Sequence, residues 1–246
     1  MEAQYRFEQR KDNPLGAVTT NAAAKYIQLA YNIEDYYTHF PCFIGAKDIS
    51  RFLSLFECYK KTLGIAGHIA EVGVFRGAVS FFFAKLSLLY EPQSLTQVHG
   101  FDWFREPTQE ELSSIPLGLK YYEPYQRITE LIGVQGLQNH IHIHRLNVLT
   151  ELHGFFLRYN HLQFKLVFLD IGEYDQVSAC IREFWPRLSN GGIMIFDQYN
   201  NEVAPGETKA VKELLPSDAV IRTFPFGFMP TAYVIKGERL TAETII

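Results

Sequence analysis

Short apolar runs alternate with longer stretches of helical periodicity along most of this chain. The strands predicted from the apolar runs cover residues 68–73, 97–102, 140–146, 164–170 and 192–197. The predicted helices cover about 77–90, 119–132, 149–159, 174–188 and 207–215. Alternation of this kind is typical of a parallel sheet with helices on both faces. Two last runs, 219–225 and 231–236, are separated by a link short enough for an antiparallel return.

This pattern predicts an α/β fold, a doubly wound, mostly parallel, Rossmann-like sheet of seven strands with an antiparallel last strand. A length of 246 residues suits one compact domain. Residues 47–246 would form its main part, beginning with a helix over 48–63 that Asp48 caps and Gly64 stops. Residues 1–46 are mixed in character, and we expect an N-terminal helical lid or dimerisation arm there. A homo-oligomer is therefore the expected assembly.

The charge and cysteine content argue against several classes of protein. With 23 Lys and Arg against 27 Asp and Glu, the net charge is −4, and no basic tract could neutralise many phosphates. We therefore expect a small polar ligand and no nucleic acid. No apolar run approaches the ~20 residues that cross a bilayer, and the first residues lack the order of a signal peptide. Cys42, Cys58 and Cys180 are interpreted as reduced, buried thiols of a cytoplasmic protein.

The segment after the first predicted strand reads Glu71-x-Gly73-x-x-x-Gly77. Gly73 lets the backbone turn sharply, Gly77 permits close approach of a ligand, and Glu71 adds a carboxylate at the strand end. The spacing differs from the G-x-G-x-x-G that seats a pyrophosphate, which favours a ligand with an amino group and no pyrophosphate. The alternative is a merely structural strand–helix turn, since glycine-rich turns are common.

The second predicted strand ends at Asp102, followed by Trp103. An acid at this position grips ribose hydroxyls in nucleoside-binding folds, so Asp102 is the ribose candidate and Trp103 a stacking surface. A loop-initiating Asp is the alternative. The insertions at 103–118 and 198–206 lie on the carboxyl side of the sheet and are candidates for a wall that covers the substrate.

Asp170 and Asp197 each end a predicted buried strand. If the strands are neighbours, the two carboxylates meet over the cleft, and their repulsion favours a divalent cation or a ligand ammonium between them. Gln198, Asn200 or Glu173 could supply further oxygens. The alternative is that each acid only caps the segment that follows it.

His140, His142 and His144 alternate along one predicted strand and share a face. We interpret them as a solvated face and not as a metal site, because no carboxylate or cysteine follows at ligand spacing. His39, His153 or Glu173 could serve as a general base, which sequence alone does not decide.

Three segments, 71–77, 169–174 and 186–197, together resemble class I S-adenosylmethionine-dependent methyltransferases of the macrocin O-methyltransferase type, over residues 67–215. Such enzymes methylate a sugar hydroxyl, often on a deoxysugar of a natural product, with magnesium orienting the acceptor. The resemblance implies S-adenosylmethionine as cofactor and a divalent metal. The implied cofactor contacts are Glu71, Gly73, Arg76, Gly77, Asp102, Trp103, Asn147 and Asp170. The implied metal ligands are Asp170, Asp197 and Gln198, and the implied catalytic residues are Asp170, Asp197 and Glu173.

Two departures from the family pattern concern the metal. The family usually has Asp-Gly-Asp-x-Tyr and Asp-Asp, where this chain has Asp170-Ile-Gly-Glu173-Tyr174 and Asp197-Gln198. One negative charge fewer weakens a magnesium site. The main hypothesis is a metal-assisted O-methyltransferase acting on a sugar or natural-product hydroxyl. The alternative is a non-catalytic binding or assembly module of this fold in a biosynthetic pathway; a nicotinamide-dependent oxidoreductase is disfavoured by the missing G-x-G-x-x-G.

Overall fold

The computed structural model of the chain describes residues 28–29, 31–106, 108, 123–202, 204–227 and 229–239. Predictions for residues 1–27, and for most of the insertion at 103–118, lie outside the described residues. The described part of the predicted lid contains a short helix and a single 3-10 turn before the first long helix.

Seven strands form one sheet with the order β3-β2-β1-β4-β5-β7-β6. Strands β1 to β5 run parallel, and β7 runs antiparallel between β5 and β6. This arrangement confirms the predicted fold class, including the antiparallel last strand. The strands are β1 His68–Val72, β2 Val98–Asp102, β3 Ile141–Arg145, β4 Phe164–Leu169, β5 Leu188–Phe196, β6 Ala219–Thr223 and β7 Ala232–Arg239.

Helices cover both faces of the sheet, as the alternation predicted. Within the described residues, none of them is long and apolar enough to cross a membrane. They are α1 Ile33–Thr38, α2 Ala46–Lys61, α3 Ala78–Tyr90, α4 Tyr125–Val134, α5 Leu152–Arg158, α6 Tyr174–Arg187 and α7 Pro205–Leu214, with a 3-10 turn at Phe40–Cys42.

The alternation of side chains along the strands divides the core into two layers. Leu166 and Phe168 of β4 pack on the side that carries Leu55 of α2. Val167 and Leu169 pack on the opposite side, in the same cluster as Phe184 of α6 and Val211 of α7. Strand β4 is buried on both faces, which explains why its residues other than Lys165 are apolar.

The structure shifts several predicted boundaries and corrects one burial prediction. Helix α2 begins at Ala46 with Gly45 as its N-cap, and Asp48 accepts the Gly45 N–H at 3.2 Å from the third position. Asp48 therefore caps the helix as the partner residue of a capping box, and the prediction that it is the N-cap was wrong. Strand β5 begins at residue 188, before the predicted 192, because β4 and β5 already pair at Phe164 and Leu188. All three cysteines are free and two are buried, but Cys42 is exposed in the 3-10 turn.

Contrary to our expectation, the histidines of β3 do not form a simple solvated face. His142 and His144 flank His99 of β2, with 3.0 Å between His99 Nδ1 and His144 Nε2. Burial lowers the pKa of His99 to about 2 and that of His144 to about 4, with neighbouring histidines adding to both effects. The rings are therefore neutral, and no group of three or more ligating side chains is placed to hold a metal ion in the described part of the chain.

These neutral histidines predict that acid destabilises the fold. An unfolded histidine takes up a proton near pH ~6.5, whereas folded His99 does not until about pH 2. Between these values the unfolded chain binds more protons, so the free energy of unfolding falls as the pH falls. In urea unfolding at about pH 7 and about pH 5, His99→Gln should remove about 1 kcal/mol per pH unit of this dependence.

The same substitution at exposed His39, which lies outside the histidine cluster, is the control. An equal pH dependence in wild type and His99→Gln would contradict the assignment of acid sensitivity to this buried ring.

Candidate functional site

The turn after β1 passes tightly over the end of β4. Gly73 has a φ of +88°, and a Cβ on it would lie 2.2 Å from the carbonyl oxygen of Asp170. Its N–H donates to the Phe101 carbonyl at 2.9 Å. Only glycine fits this combination of left-handed backbone and close approach. Contact with the strand that carries Asp170 thereby explains why a glycine stands at position 73.

Gly77 closes the same turn and is the N-cap of α3, with a φ of +79°. Its carbonyl accepts the first helical hydrogen bond from Phe81, at 2.9 Å. The N-terminus of α3, with its unpaired N–H groups and positive dipole end, therefore follows directly on the turn. Such a helix end suits a carboxylate of a bound ligand.

Glu71 lies in β1 before the turn and is buried. Its carboxylate accepts a hydrogen bond from the Ser80 hydroxyl of α3. Burial raises the pKa of Glu71 to about 8; Ser80 and Arg51 oppose the rise, and Asp170 adds to it. An incoming cation would stabilise its ionised form.

Asp102 fixes two loops at the end of β2. Its Oδ2 accepts the Phe75 N–H at 2.9 Å, and its Oδ1 accepts the Phe104 N–H at 3.1 Å. Phe75 and Phe104 both have a φ of +49°, a backbone conformation that residues other than glycine rarely adopt. The carboxylate thus holds two strained residues in place, and each of its oxygens keeps a second lone pair for a ligand hydroxyl.

Trp103 and Asn147 follow the ends of the neighbouring strands β2 and β3. Trp103 is about half exposed, with the Arg105 guanidinium 4.9 Å from its ring centroid. Asn147 Oδ1 accepts the Leu149 N–H at 2.9 Å and so shapes the turn after β3. Both residues border the same edge of the sheet as Asp102.

Arg76 lies in the turn between Gly73 and Gly77 and forms an ion pair with Glu123. The Arg76 Nε is 3.1 Å from Glu123 Oε2, and Arg127 Nη1 is 2.7 Å from Oε1. Burial alone would raise the pKa of Glu123, but the hydrogen bonds from the two arginines outweigh it and lower the pKa. Arg76 therefore connects the turn to the segment that precedes α4.

Asp170 and Asp197 come together as predicted, at the ends of the adjacent strands β4 and β5. The Asp170 N–H donates to the Val72 carbonyl at 2.9 Å, and the Asp197 N–H donates to the Leu169 carbonyl at 3.1 Å. Asp170 is 27% exposed at its side chain and Asp197 only 4%. Burial and the neighbouring Asp170 raise the pKa of Asp197, and Arg51 opposes the rise.

Arg51 of α2 bridges this acid pair. Its Nη1 lies 2.5 Å from Asp197 Oδ1, and its Nη2 lies 2.8 Å from Asp170 Oδ2. The guanidinium also lies 5.3 Å from the ring centroid of Phe168. Burial opposes the charge on Arg51, but the two carboxylates outweigh it, so its pKa is raised.

Arg51 was not predicted as a site residue, although the sequence contains a signal for it. Residues 51, 55, 58 and 62 recur at helical spacing and share one face. Leu55, Cys58 and Thr62 on that face are fully buried. An arginine within a buried helical stripe needs an acidic partner, which this pattern could have indicated.

Glu207 is a second residue that was not predicted from the sequence. It is fully buried in α7, and its Oε1 accepts the Gln198 N–H at 2.7 Å. Its Oε2 has no hydrogen-bond partner among the described residues, and burial raises its pKa to about 8. The side-chain oxygen of Gln198 packs against Gly172, where a Cβ would lie 2.2 Å away.

The other predicted bases, Glu173, His39 and His153, make no hydrogen bond to the acid pair in the described part of the chain. Glu173 is exposed as the N-cap of α6, and His39 is exposed at the end of α1. His153 Nδ1 is 2.7 Å from Glu183 Oε1.

The acid pair as arranged does not fit a divalent ion. Both carboxylates are hydrogen-bonded to one guanidinium, which occupies the space between them. Metal ligation by Asp170, Asp197 and Gln198 stays a prediction. The cofactor fits better, because the left-handed glycine turn, the buried Glu71 and the carboxylate of Asp102 suit a ligand with cationic and hydroxyl groups.

Comparisons with known proteins agree with this geometry. A family model described as a methyltransferase domain matches residues 70–199. No curated protein matches the chain. A crystal structure of CalS11, a calicheamicin methyltransferase, is similar at a TM-score of 0.74 and 21% identity, covering 89% of this chain and 94% of that one.

Two further solved structures have the same fold. An apo structure of CalS11, a TDP-rhamnose 3'-O-methyltransferase of calicheamicin biosynthesis, gives a TM-score of 0.72 at 22% identity, covering 89% of this chain and 96% of that one. The O-methyltransferase NovP gives 0.60 at 16% identity, with 80% and 82% covered.

The contact between Gly73 and Asp170 predicts that a single methyl group added at position 73 strongly destabilises the fold. Gly73→Ala should lower the free energy of unfolding by about 3 kcal/mol or more, because strain at positive φ adds to a clash with a backbone carbonyl. Gly136 has a φ of +67°, and a Cβ added there would have nothing within 4 Å, so Gly136→Ala is the matched control.

The control should lose only about 1 kcal/mol, from the positive φ alone. Equal losses in urea unfolding would contradict the close approach of the β1 turn to Asp170.

Proposed function

This chain belongs to the methyltransferase-domain family and has the class I S-adenosylmethionine-dependent fold, and from this premise we propose that it methylates a hydroxyl oxygen of a sugar or other natural-product molecule. The observation that carries the proposal is the acid pair at the ends of β4 and β5, next to the glycine turn of the matched domain.

The proposed cofactor site lies along the ends of β1, β2 and β3. Gly73 and Gly77 would hold the amino-acid end, with Glu71, Arg76 and Asp170 around it. Asp102 would accept hydrogen bonds from the ribose hydroxyls through its remaining lone pairs. Trp103 and Asn147 would border the base. S-adenosylmethionine, when bound, supplies a methyl group on a positively charged sulfur.

The chain's own residues have separate tasks in this proposal. Asp170 is the more exposed acid of the pair and would take the proton of the acceptor hydroxyl. Asp197 is buried and would hold Arg51 in position. Glu173, three residues after Asp170 in the chain, is the alternative base. Positioning and electrostatic stabilisation of the developing oxyanion would provide most of the rate.

Similarity to CalS11, a TDP-rhamnose 3'-O-methyltransferase, and to NovP, an O-methyltransferase, supports an oxygen acceptor on a sugar. Residues 1–46 and 103–118 are the segments that we expect to set acceptor specificity. Cytoplasmic location and homo-oligomeric assembly stay predictions.

Asp170→Asn tests the proposed base. The neutral amide cannot accept the proton, so turnover at saturating S-adenosylmethionine should fall by more than about 100-fold. Calorimetry gives the affinity for S-adenosylmethionine, and mass spectrometry on a panel of nucleotide-linked deoxysugars gives the turnover. The control is Asp175→Asn, an exposed acid in the first turn of α6.

Unchanged turnover in Asp170→Asn would exclude Asp170 as the base and direct attention to Glu173. If wild type bound no S-adenosylmethionine at about 1 mM, the proposal would fail, and the non-catalytic module would be favoured.

A further inference from the structure

We propose that the guanidinium of Arg51 takes the place of a divalent cation between Asp170 and Asp197, so that methyl transfer needs no bound metal. The methyl-transfer part rests on the proposed function, whereas the cation-site part rests on geometry alone. One planar group reaches both acids, at 2.5 Å and 2.8 Å, through two different nitrogens. Such a fork satisfies both carboxylates with charge-assisted hydrogen bonds.

Helix α2, which packs against the core, positions this guanidinium. Arg51 lies in the first half of α2, and Leu55 and Cys58, one and two turns later on the same face, are fully buried. The ring of Phe168 in β4 lies under the guanidinium, with 5.3 Å from Cζ to the ring centroid. The position of Arg51 is therefore set by core packing and not by a surface loop.

The far half of α2 is fixed by a second charged contact. The Tyr59 hydroxyl donates to Glu91 Oε2 at 2.7 Å, and Lys165 Nζ donates to the same oxygen at 2.5 Å. Lys165 lies in β4 and is fully buried, and Glu91 follows the end of α3. Helix α2 could not withdraw Arg51 from the acid pair without breaking this buried network.

The guanidinium already offsets part of the carboxylate charge that a divalent cation would neutralise. One guanidinium faces at most two carboxylate charges, because burial and Asp170 raise the pKa of Asp197, and Gln198 adds no charge. The side-chain oxygen of Gln198 is packed against Gly172. A divalent ion placed between the acids would meet the guanidinium at contact distance and be repelled by it. Any remaining negative charge suits a cationic ligand at this edge.

Arg51 is a positioning residue in this scheme. It holds the two acids side by side in spite of their repulsion, and its side chain is 26% exposed. A guanidinium donates hydrogen bonds and positive charge but does not polarise a hydroxyl as a metal ion does. Proton removal from the acceptor is then left to a carboxylate.

A titration with Mn²⁺ tests the cation-site part without turnover or cofactor. Electron paramagnetic resonance should detect no bound Mn²⁺ in wild type at about 1 mM ion. Arg51→Ala frees the space between two acids and should raise the affinity for Mn²⁺ at least about tenfold. Asp197→Asn in the Arg51→Ala background should abolish that gain, because one of the two ligands loses its charge.

Arg187→Ala is the matched control. Arg187 also forms an ion pair, 3.0 Å from Glu183 Oε2, and lies 4.4 Å from the ring centroid of Phe156, but it belongs to α6 and makes no ion pair with either acid of the pair. It should gain no Mn²⁺ site. Arg51→Lys keeps the charge and should gain none either.

Activity gives an independent readout. Wild-type turnover should stay within about twofold after treatment with EDTA and after addition of Mg²⁺, whereas Arg51→Ala should lose about 100-fold. Addition of Mg²⁺ should raise the turnover of Arg51→Ala at least about tenfold. Circular dichroism shows whether the variants fold. The wild-type measurements test the proposal even if a variant does not fold.

The proposal is overturned if wild type binds Mn²⁺ below about 1 mM through Asp197, or if EDTA removes its turnover and Mg²⁺ restores it. Failure of the proposed function gives a different result, namely no turnover and no binding of S-adenosylmethionine while the Mn²⁺ titrations still follow the expected pattern.

Discussion

Two carboxylates at the ends of adjacent parallel strands create the constraint that the rest of this edge depends on. The backbone hydrogen bonds of Asp170 and Asp197 to the neighbouring strands hold the two residues side by side, so their carboxylates repel each other. A positive charge between them relieves this repulsion, and Arg51 supplies it from α2. Helix α2 packs its apolar residues against one face of the sheet and thereby brings Arg51 to the carboxyl edge.

Backbone strain is concentrated at the same edge. Phe75, Phe104 and Asn200 are the non-glycine residues with positive φ in the described part of the chain, and they follow β1, β2 and β5. Asp102 holds the first two, and Thr208 Oγ1 accepts the Asn200 N–H at 2.7 Å. Strain of this kind persists only where neighbours enforce it, and it is common at functional sites.

The acids at the strand ends could be predicted from the sequence, but their partners could not. Asp102, Asp170 and Asp197 could be placed because parallel strands bring their carboxyl ends to one edge. The helical stripe around Arg51 indicates that it needs an acidic partner, but local periodicity does not tell which strand end α2 or α7 reaches, so the pairing of Arg51 and the place of Glu207 could not be predicted. The burial of the β3 histidines was missed for the same reason, since their partner His99 lies on another strand.

The charge at the carboxyl edge of the sheet depends on the bound ligand, because the buried acids there can gain or lose protons. Burial raises the pKa values of Glu71 and Glu207 to about 8, so at neutral pH both are mostly protonated and add little negative charge to this edge. A positively charged sulfur or ammonium near Glu71 would favour loss of its proton and so add negative charge where the ligand is positive. Binding of a cation is then coupled to proton release, whereas a neutral sulfur has no such effect. This coupling favours a ligand that brings a positive charge to Glu71, close to the edge where Asp170 and Asp197 meet.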